Sequence, residues 1–312
     1  MPAPLVLVTS LEPAEDVAWR DALARAMPEE AIATSADPEA LARAEIAIVA
    51  NPPPGVLARM PRLLWVHSLW AGVDRLLLDG TLPPVPVVRL VDPALARAMA
   101  EAVAAAALHL HRDLHLYADQ QRRSDWRPHD TRPAHARTVT LLGLGEMGRA
   151  AALLLRAIGF TVQGWSRTGG AVDGIRVFSG ADGLARALAG TDILVNLLPL
   201  TPETRGLLNR DAFARLPRGA GVVNFGRGAH LAEDDLIEAL DAGALGHAIL
   251  DVFETEPLPP GHRLWSHPGI TILPHIAAPT SRASAAGIVA EAVRSFRGTG
   301  RIPTGVDRGR GY

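Results

Sequence analysis

The sequence predicts an α/β protein of two domains, each built around a doubly wound parallel sheet. Two observations predict this class. Short apolar runs typical of strands alternate with helix-forming stretches along most of the chain. Such alternation requires parallel strand pairing with right-handed crossovers. The chain also has 312 residues, 48% of them hydrophobic, which is enough for more than one core.

The first hundred residues contain four runs typical of strands and two helical stretches. The predicted strands are Leu5–Val8, Ile46–Ala50, Leu63–Ser68 and Val85–Leu90, and the predicted helices are Ala14–Met27 and Pro38–Ala44. Asp92 and Pro93 then have the residue types preferred at an N-cap and at the first helical position. A segment without Gly or Pro follows, so we expect one long helix over Ala94–Gln121 that leaves the first domain and reaches the second.

The second series begins after a polar stretch, residues 122–137, which is typical of a linker or surface loop. Its predicted strands are Thr138–Leu142, Thr161–Trp165, Asp192–Leu198, Gly221–Phe225, His247–Phe253 and Ile270–Leu273, and its predicted helices are Met147–Ile158, Ala181–Ala189, Asp211–Leu216 and Glu233–Ala242. A last helix, Thr280–Arg297, has no partner strand of its own. We expect it to pack back on the first domain.

Composition excludes several classes of function. The formal charge is -2, from 31 basic and 33 acidic residues, so no basic field attracts nucleic acid or an anionic membrane surface. The chain has no Lys and no Cys, which excludes Schiff-base chemistry, disulfides and thiolate metal sites. No apolar stretch reaches the roughly 20 residues of a membrane span, and the N-terminus lacks the pattern of a signal peptide. We expect a cytoplasmic protein without nucleic-acid or membrane partners.

A glycine-rich string, G-L-G-E-M-G at residues 143–148, follows an apolar strand and opens an apolar helix. In that position the glycines make the turn, admit a pyrophosphate and let the helix pack closely, while the N–H groups at the helix start bind the phosphates. The other interpretation, a tight turn without a ligand, is weaker in this context. The residues expected to contact a dinucleotide here are Gly143, Gly145, Glu146, Met147 and Gly148.

The end of the next strand indicates which dinucleotide is bound. NAD binders usually place an acid there to hold the ribose 2′-hydroxyl, but the chain has Ser166, Arg167 and Thr168. A guanidinium beside two hydroxyls suits a 2′-phosphate. NADP(H) is therefore the preferred cofactor and NAD(H) the alternative, the other interpretation of Arg167 being a solvated loop residue.

Three further candidates follow predicted strands, so parallel pairing brings them to the edge of the sheet that carries the glycine turn. They are Arg227, Glu256 and His275. Together they supply what reduction of a 2-oxo acid needs: a cation for the carboxylate and ketone, an imidazole that donates a proton, and a carboxylate that orients the imidazole and raises its pKa. Each of the three taken alone has an ordinary structural interpretation.

Several motifs resemble those of the D-isomer-specific 2-hydroxyacid dehydrogenases. The matching strings are V-N-F-G-R-G at 223–228, D-V-F-E-T-E-P-L at 251–258 and P-H-I-A-A at 274–278, in the family's order. More narrowly, W-S-R at 165–167, N-L-L-P-L-T-P-E-T at 196–204 and the terminal V-D-R-G-R-G-Y resemble bacterial reductases of the glyoxylate/hydroxypyruvate reductase A type. The resemblance covers essentially the full length.

This resemblance implies a discontinuous, flavodoxin-like substrate-binding domain, residues 1–95 and 283–312, and a Rossmann-type dinucleotide-binding domain, residues 96–282. The active site would lie in the cleft between them. It implies catalytic roles for Arg227, Glu256 and His275, and a homodimer formed through the long helix. The Ala-rich face of that helix at 99–108 would allow close packing with a second copy, and it could equally be intramolecular core. The further contacts it implies are Leu198, Pro199 and Asp251 to the cofactor, and Trp70, Ala71 and Gly72 with Arg227 to the substrate. The other interpretation of residues 70–72 is a Gly turn after the preceding strand.

The expected activity is NADPH-dependent reduction of a small 2-oxo acid, glyoxylate or hydroxypyruvate, to the 2-hydroxy acid. One alternative keeps the fold but takes a bulkier 2-oxo acid such as phenylpyruvate. Another is a non-catalytic module that senses a dinucleotide. His111 and His115 have the spacing of a helical metal pair, but nothing nearby in the sequence completes a site, so no metal is expected.

Overall fold

A computed structural model describes residues 3–311 and contains twelve strands and ten α-helices in that range. The strands are β1 (Leu5–Thr9), β2 (Ile32–Thr34), β3 (Ile46–Ala50), β4 (Trp65–Ser68), β5 (Val87–Val88), β6 (Thr138–Leu142), β7 (Thr161–Ser166), β8 (Arg176–Ser179), β9 (Ile193–Asn196), β10 (Ala220–Asn224), β11 (Leu245–Leu250) and β12 (Ile270–Ile272). The helices are α1 (Pro13–Ala26), α2 (Pro38–Arg43), α3 (Asp74–Leu77), α4 (Pro93–His111), α5 (Leu114–Arg122), α6 (Glu146–Ile158), α7 (Gly180–Leu188), α8 (Arg210–Phe213), α9 (Glu233–Asp241) and α10 (Arg282–Thr299).

The chain folds as two compact units. The first unit comprises the residues up to Ala94 and those from Thr280 onward. Its five strands are all parallel and lie in the order β2-β1-β3-β4-β5, which is the flavodoxin-like order. Every residue of β3 is buried, as expected for a strand covered on both faces. Helix α10 contributes Val289 and Val293 to the same core as Trp65.

The second unit, Leu95–Pro279, contains a seven-stranded parallel sheet in the order β12-β11-β10-β9-β6-β7-β8. Numbered from β6, this is the Rossmann order 3-2-1-4-5-6 with a seventh strand added beside the sixth. Strand order reverses between β6 and β9, so the carboxyl ends of these strands border the crevice where such sheets bind ligands. The two parallel sheets confirm the predicted fold class.

The predicted long helix is wrong in one respect, because it is interrupted. Helix α4 ends at His111 and α5 begins at Leu114. Asp113 between them has φ 54°, a left-handed conformation that no helix continues through and that Asp tolerates better than most residues. No helix in the part of the chain described here is long and apolar enough to cross a membrane.

The Ala-rich face of α4 is used within the chain. Val103 and Ala107 are fully buried and pack in one cluster with Val139 and Leu141 of β6. This face is therefore intramolecular core, which is one of the two interpretations that the sequence left open.

The strand predictions failed where strands are short or interrupted by proline. The predicted strand Val85–Leu90 is reduced to Val87–Val88, because Pro86 has no N–H to donate to a neighbour. Strands β2 and β8 were not predicted, since their three and four residues are too few to show a clear alternating pattern.

Two histidines are buried in strands, one in each unit. His67 in β4 is 1% exposed and its Nδ1 donates to the carbonyl of Ser68 at 2.9 Å. Burial lowers its pKa to about 4. His247 in β11 is 4% exposed; burial, together with the charges of His115 and the other histidines around it, lowers its pKa to about 3.

We expect these two histidines to make the protein sensitive to acid. Between pH 6.5 and the lowered pKa the unfolded chain binds a proton that the folded chain does not, so the free energy of unfolding falls as the pH falls. For His247 the loss between pH 7 and pH 5 is about 2 kcal/mol. Denaturant unfolding of wild type and His247→Gln at both pH values measures this loss of stability. Gln is chosen because it keeps an amide near the position of Nε2, which contacts Thr271 Oγ1 at 2.8 Å. An equal pH dependence in the two proteins would contradict the assignment, and His67→Asn is the matched variant for the other unit.

Candidate active site

The glycine string forms the turn from β6 into α6, and its three glycines have different neighbours. Gly143 has φ 97°, and a Cβ there would lie 3.0 Å from the Leu197 carbonyl oxygen. A Cβ on Gly148 would lie 1.9 Å from the Gly143 carbonyl oxygen, so only glycine lets the helix start pack on the turn. By contrast, a Cβ on Gly145 would have no atom of the described residues within 4 Å apart from its own neighbours along the chain. The turn therefore leaves open space where a pyrophosphate is expected.

The residues expected to select the dinucleotide lie in the loop after β7. Ser166 donates its hydroxyl to the Gly169 carbonyl at 2.8 Å, while Arg167 and Thr168 are exposed. Arg149 of α6 braces this loop, because its Nη1 donates to the Ala171 carbonyl at 3.0 Å and its Nε to the Leu144 carbonyl at 3.1 Å. The loop is thus tied to the glycine turn, with the Arg167 guanidinium at the surface.

Leu198 and Pro199 follow β9, on the other side of the sheet's switch point. The N–H of Leu198 donates to Asn196 Oδ1 at 3.2 Å, and the carbonyl of Pro199 accepts from Thr204 Oγ1 at 2.8 Å. These bonds hold the segment over the carboxyl end of β9, directly beside Gly143.

The structure brings Glu256 and His275 into contact. His275 Nδ1 lies 2.8 Å from Glu256 Oε2, and Glu256 Oε1 accepts from the Phe253 N–H at 2.9 Å. Because Nδ1 faces the carboxylate, it carries the proton, and Nε2 faces away from Glu256. His275 has φ 55°, a rare conformation outside glycine that is common at functional sites.

Asp251 holds the backbone around His275. Its carbonyl accepts from the His275 N–H at 2.9 Å. Its carboxylate accepts from the N–H groups of Ile276 at 2.7 Å and Ala277 at 3.0 Å. Burial raises the pKa of Asp251, although these two hydrogen bonds oppose the change.

The charges of the three catalytic candidates are coupled. The hydrogen bond that His275 donates to Glu256 raises the pKa of the imidazole, with burial and the positive charge of Arg227 acting in the opposite direction. Burial disfavours ionisation of Glu256, but the hydrogen bonds from His275 and Phe253 and the charges of His275 and Arg227 lower its pKa overall. Glu256 and His275 therefore stabilise each other's charged forms, and the charge of Arg227 acts on both.

The backbone of Arg227 is held by residues that sequence reasoning did not single out. They are Asn224, His230 and, behind them, Asn196, all with no exposed surface. A sequence signal was available for the two asparagines. Asn196 and Asn224 are each a polar residue at the end of an otherwise apolar strand.

The predicted substrate loop belongs to the first unit. The N–H of Trp70 donates to Ser68 Oγ at 3.0 Å, and its ring meets Trp19 edge to face at 5.6 Å between centroids. Trp70 is thus engaged in packing. The N–H groups of Ala71 and Gly72 make no backbone hydrogen bond within residues 3–311.

No group of three or more His, Asp or Glu side chains among residues 3–311 is arranged to hold a metal ion. His111 packs edge to face on Phe160, and His115 lies 4.2 Å from His247 between ring centroids. His111 and His115 have the sequence spacing of a helical metal pair, but the break at Asp113 places them on different helices.

Known proteins resemble this chain over nearly its full length. The family model for the NAD binding domain of D-isomer specific 2-hydroxyacid dehydrogenases matches residues 104–277. A protein of Serratia proteamaculans (strain 568) named glyoxylate/hydroxypyruvate reductase A is 44% identical over 269 residues, which are 84% of this chain and 86% of that protein.

Two crystal structures extend the comparison. A D-isomer specific 2-hydroxyacid dehydrogenase from Xanthobacter autotrophicus Py2, in complex with NADPH and MES, has a TM-score of 0.93 and 39% identity and covers 100% of both chains. An NADPH-dependent glyoxylate/hydroxypyruvate reductase from Sinorhizobium meliloti, in complex with NADP and sulfate, has a TM-score of 0.91 and 37% identity, covering 99% of this chain and 100% of that one. The chain therefore belongs to the family of D-isomer-specific 2-hydroxyacid dehydrogenases.

Proposed function

We propose that the chain reduces small 2-oxo acids with NADPH, converting glyoxylate to glycolate and hydroxypyruvate to D-glycerate. The observation that carries this proposal is the 2.8 Å contact between His275 and Glu256, with the Arg227 guanidinium close enough to act on both. All three follow strands of one parallel sheet and lie at the edge that bears the glycine turn. The names of the relatives in Serratia and Sinorhizobium support the same substrates and coenzyme. A cytoplasmic location is part of the proposal, since the reaction needs a pool of reduced dinucleotide.

The side chains divide the chemistry among them. The reduced dinucleotide, when bound, supplies a hydride to the carbonyl carbon. Arg227 binds the carboxylate of the substrate and polarises its ketone. His275 donates the proton on Nε2 to the carbonyl oxygen and then regains a proton from solvent. Glu256 keeps the imidazole oriented and charged, because its carboxylate stabilises the imidazolium.

The coenzyme site is assigned to the switch point of the second sheet. The first N–H groups of a helix have no partner within it, so those of Glu146 and Met147 are donors to the pyrophosphate above Gly145. Leu198, Pro199 and Asp251 are assigned to the nicotinamide end, with Asp251 contacting the carboxamide. Supporting this assignment, the open space above Gly145 and the exposed loop of Ser166, Arg167 and Thr168 fit a dinucleotide with a 2′-phosphate.

Arg167 is expected to set the preference for NADPH. Arg167→Ala should lower kcat/KM with NADPH by about 10- to 100-fold, because hydrogen bonds to charged groups contribute about 1.5–3 kcal/mol. The value with NADH should change little. Parallel steady-state assays with both coenzymes measure the ratio. Arg210→Ala, which removes a surface Arg of the same unit paired with Asp235 at 3.4 Å, is the control, and an unchanged NADPH preference in Arg167→Ala would refute the role.

Each unit is assigned one role. We assign residues 1–95 and 283–312 to the substrate-binding domain and residues 96–282 to the dinucleotide-binding domain. The N–H groups of Ala71 and Gly72 are assigned to the carboxylate of the substrate, and Trp70 of the same loop is assigned to the substrate site.

One assay tests the proposed function. A panel of glyoxylate, hydroxypyruvate, phenylpyruvate and 3-phosphohydroxypyruvate is followed by the absorbance of NADPH and, in parallel, of NADH. The highest kcat/KM is expected for glyoxylate or hydroxypyruvate with NADPH. Preference for phenylpyruvate would show that the substrate is a bulkier 2-oxo acid. Binding of NADPH without oxidation by any member of the panel would favour a dinucleotide-sensing module instead.

A second copy of the chain is the partner that we propose for the surface around α5. Five apolar side chains are exposed in and beside this helix: Leu108, Leu114, Leu116, Tyr117 and Trp126. Trp126 is 99% exposed. Clusters of exposed apolar residues mark interaction surfaces. A homodimer would cover them without using the Ala-rich face of α4.

The dimer proposal predicts a change in mass. Wild type should sediment at twice the chain mass of 33.0 kDa, and the double variant Leu114→Glu with Leu116→Glu should sediment at the single-chain mass, because burial of the new charges at an interface is costly. Leu78→Glu is the control, since Leu78 is an exposed apolar residue of the first unit. A double variant that sediments like wild type would exclude this surface.

A further inference from the structure

Both backbone groups of Arg227 are bonded to side chains. Its N–H donates to His230 Nδ1 at 3.1 Å, and its carbonyl accepts from Asn224 Nδ2 at 3.0 Å. Asn224 and His230 have no exposed surface. The segment that carries the guanidinium is therefore held by two buried, fixed partners.

Asn196 joins these partners to each other. Its Nδ2 lies 2.8 Å from Asn224 Oδ1 and 2.8 Å from His230 Nδ1. Since His230 Nδ1 accepts from both Asn196 and the Arg227 N–H, the ring proton belongs on Nε2. That atom lies 3.2 Å from the Pro199 carbonyl, so His230 spans the distance between Arg227 and the segment after β9.

The same network reaches the segment assigned to the coenzyme. Asn196 Oδ1 accepts from the Leu198 N–H at 3.2 Å. Three buried side chains therefore connect the backbone of Arg227 with the backbone of Leu198 and Pro199. A shift of one of these segments relative to the other would break at least one of the bonds.

The packing leaves little room for such a shift. A Cβ on Gly226 would lie 2.8 Å from Asn196 Nδ2, 3.0 Å from His230 Nδ1 and 3.0 Å from the Leu198 carbonyl oxygen. A Cβ on Gly228 would lie 1.9 Å from the backbone carbon of Phe253. The glycines on both sides of Arg227 thus allow the backbone to lie directly against the network and against the segment that leads to Glu256.

We propose that Asn196, Asn224 and His230 are positioning residues that act on the reaction through Arg227. They fix where the guanidinium meets the substrate relative to the nicotinamide segment. None of the three touches the reacting atoms in this assignment, which rests on the proposed function of Arg227. A misplacement of about 1 Å far from the chemistry can cost about 100-fold in rate, so loosening this network lowers turnover without removing a catalytic group.

Two substitutions of His230 separate its two ring nitrogens. Asn places its amide near the position of Nδ1 and can still accept from Arg227, whereas Gln places its amide near Nε2 and cannot. We expect His230→Gln to lower kcat/KM for glyoxylate by about 10- to 100-fold, and His230→Asn to retain most of it. Asn224→Ala, which removes the donor to the Arg227 carbonyl, should lower kcat/KM in the same way.

Combination with Arg227→Ala distinguishes positioning from general stabilisation. If His230 acts through Arg227, then His230→Gln has no further effect on kcat/KM in the Arg227→Ala background. If the network only stabilises the fold, the two losses multiply, and the inference is overturned. Circular dichroism and thermal unfolding show whether each variant folds. If His230→Gln does not fold, Asn224→Ala takes its place in the double variant with Arg227→Ala.

Controls keep the two proposals distinguishable. Asn209→Ala removes bonds of similar kind in the same unit, to the Ala212 N–H at 3.1 Å and the Gly206 carbonyl at 2.9 Å, and should lower the Tm without changing kcat/KM. Full activity in Arg227→Ala alone would refute the proposed function of Arg227 and the inference with it. Loss of activity in Arg227→Ala together with multiplying losses in the double variant would refute only the inference.

Discussion

Replacing His275 with Ala is expected to lower kcat for glyoxylate reduction by about 10²- to 10⁴-fold, the contribution typical of a general acid. No other role is assigned to this side chain, and its Nε2 faces away from Glu256. Binding of NADPH, measured by its fluorescence, should stay close to the wild-type value. His267→Ala is the matched control, because His267 also pairs with a carboxylate of the same unit, Asp241, at 3.3 Å. Near-native turnover in His275→Ala would remove the assigned role.

The pH profile tests the partner of His275. Reduction needs the imidazolium, so kcat/KM is expected to be high at low pH and to fall as the pH rises through the pKa of His275. Glu256 raises that pKa through its hydrogen bond and its charge. In Glu256→Gln the pKa falls, and the alkaline limb of the profile should move to lower pH. An unchanged alkaline limb in that variant would show that another group donates the proton.

Replacing Arg227 with Ala is expected to have the second large effect, a loss of about 10³-fold in kcat/KM. In the proposed role, the Arg227 guanidinium would make two bonds to the substrate carboxylate in one plane and would stabilise the charge that develops on the carbonyl oxygen. Both KM and kcat should therefore change. Steady-state kinetics with glyoxylate at saturating NADPH separate the two constants.

Lys at the same position supplies a graded comparison. Arg227→Lys keeps the positive charge but not the planar pair of donors, so its kcat/KM should lie between those of Arg227→Ala and wild type. Arg218→Ala is the control for loss of an Arg, since Arg218 donates to the Ala242 carbonyl at 3.0 Å elsewhere in the same unit. If Arg227→Lys and Arg227→Ala are equally impaired, geometry outweighs charge at this position.

The elements of the fold were predictable where the sequence pattern is long. In the second unit, β6 has the bounds Thr138–Leu142 that the apolar run predicts, and α6 begins one residue before the predicted start. The interruption at Asp113 was not predictable, because a left-handed residue other than glycine has no reliable sequence signal. Short edge strands such as Arg176–Ser179 were also missed, because pairing with β7 rather than local pattern defines them.

The sequence by itself determined the α/β class, the glycine turn and the set of groups available for chemistry, because these depend on local pattern and on residue type. Only the tertiary structure decided that Glu256 and His275 meet at 2.8 Å and that Asn196, Asn224 and His230 converge on the backbone of Arg227. The physical reason is that such contacts join residues far apart in the chain. Their distances follow from strand order and register in the parallel sheet, which no single segment of the sequence specifies.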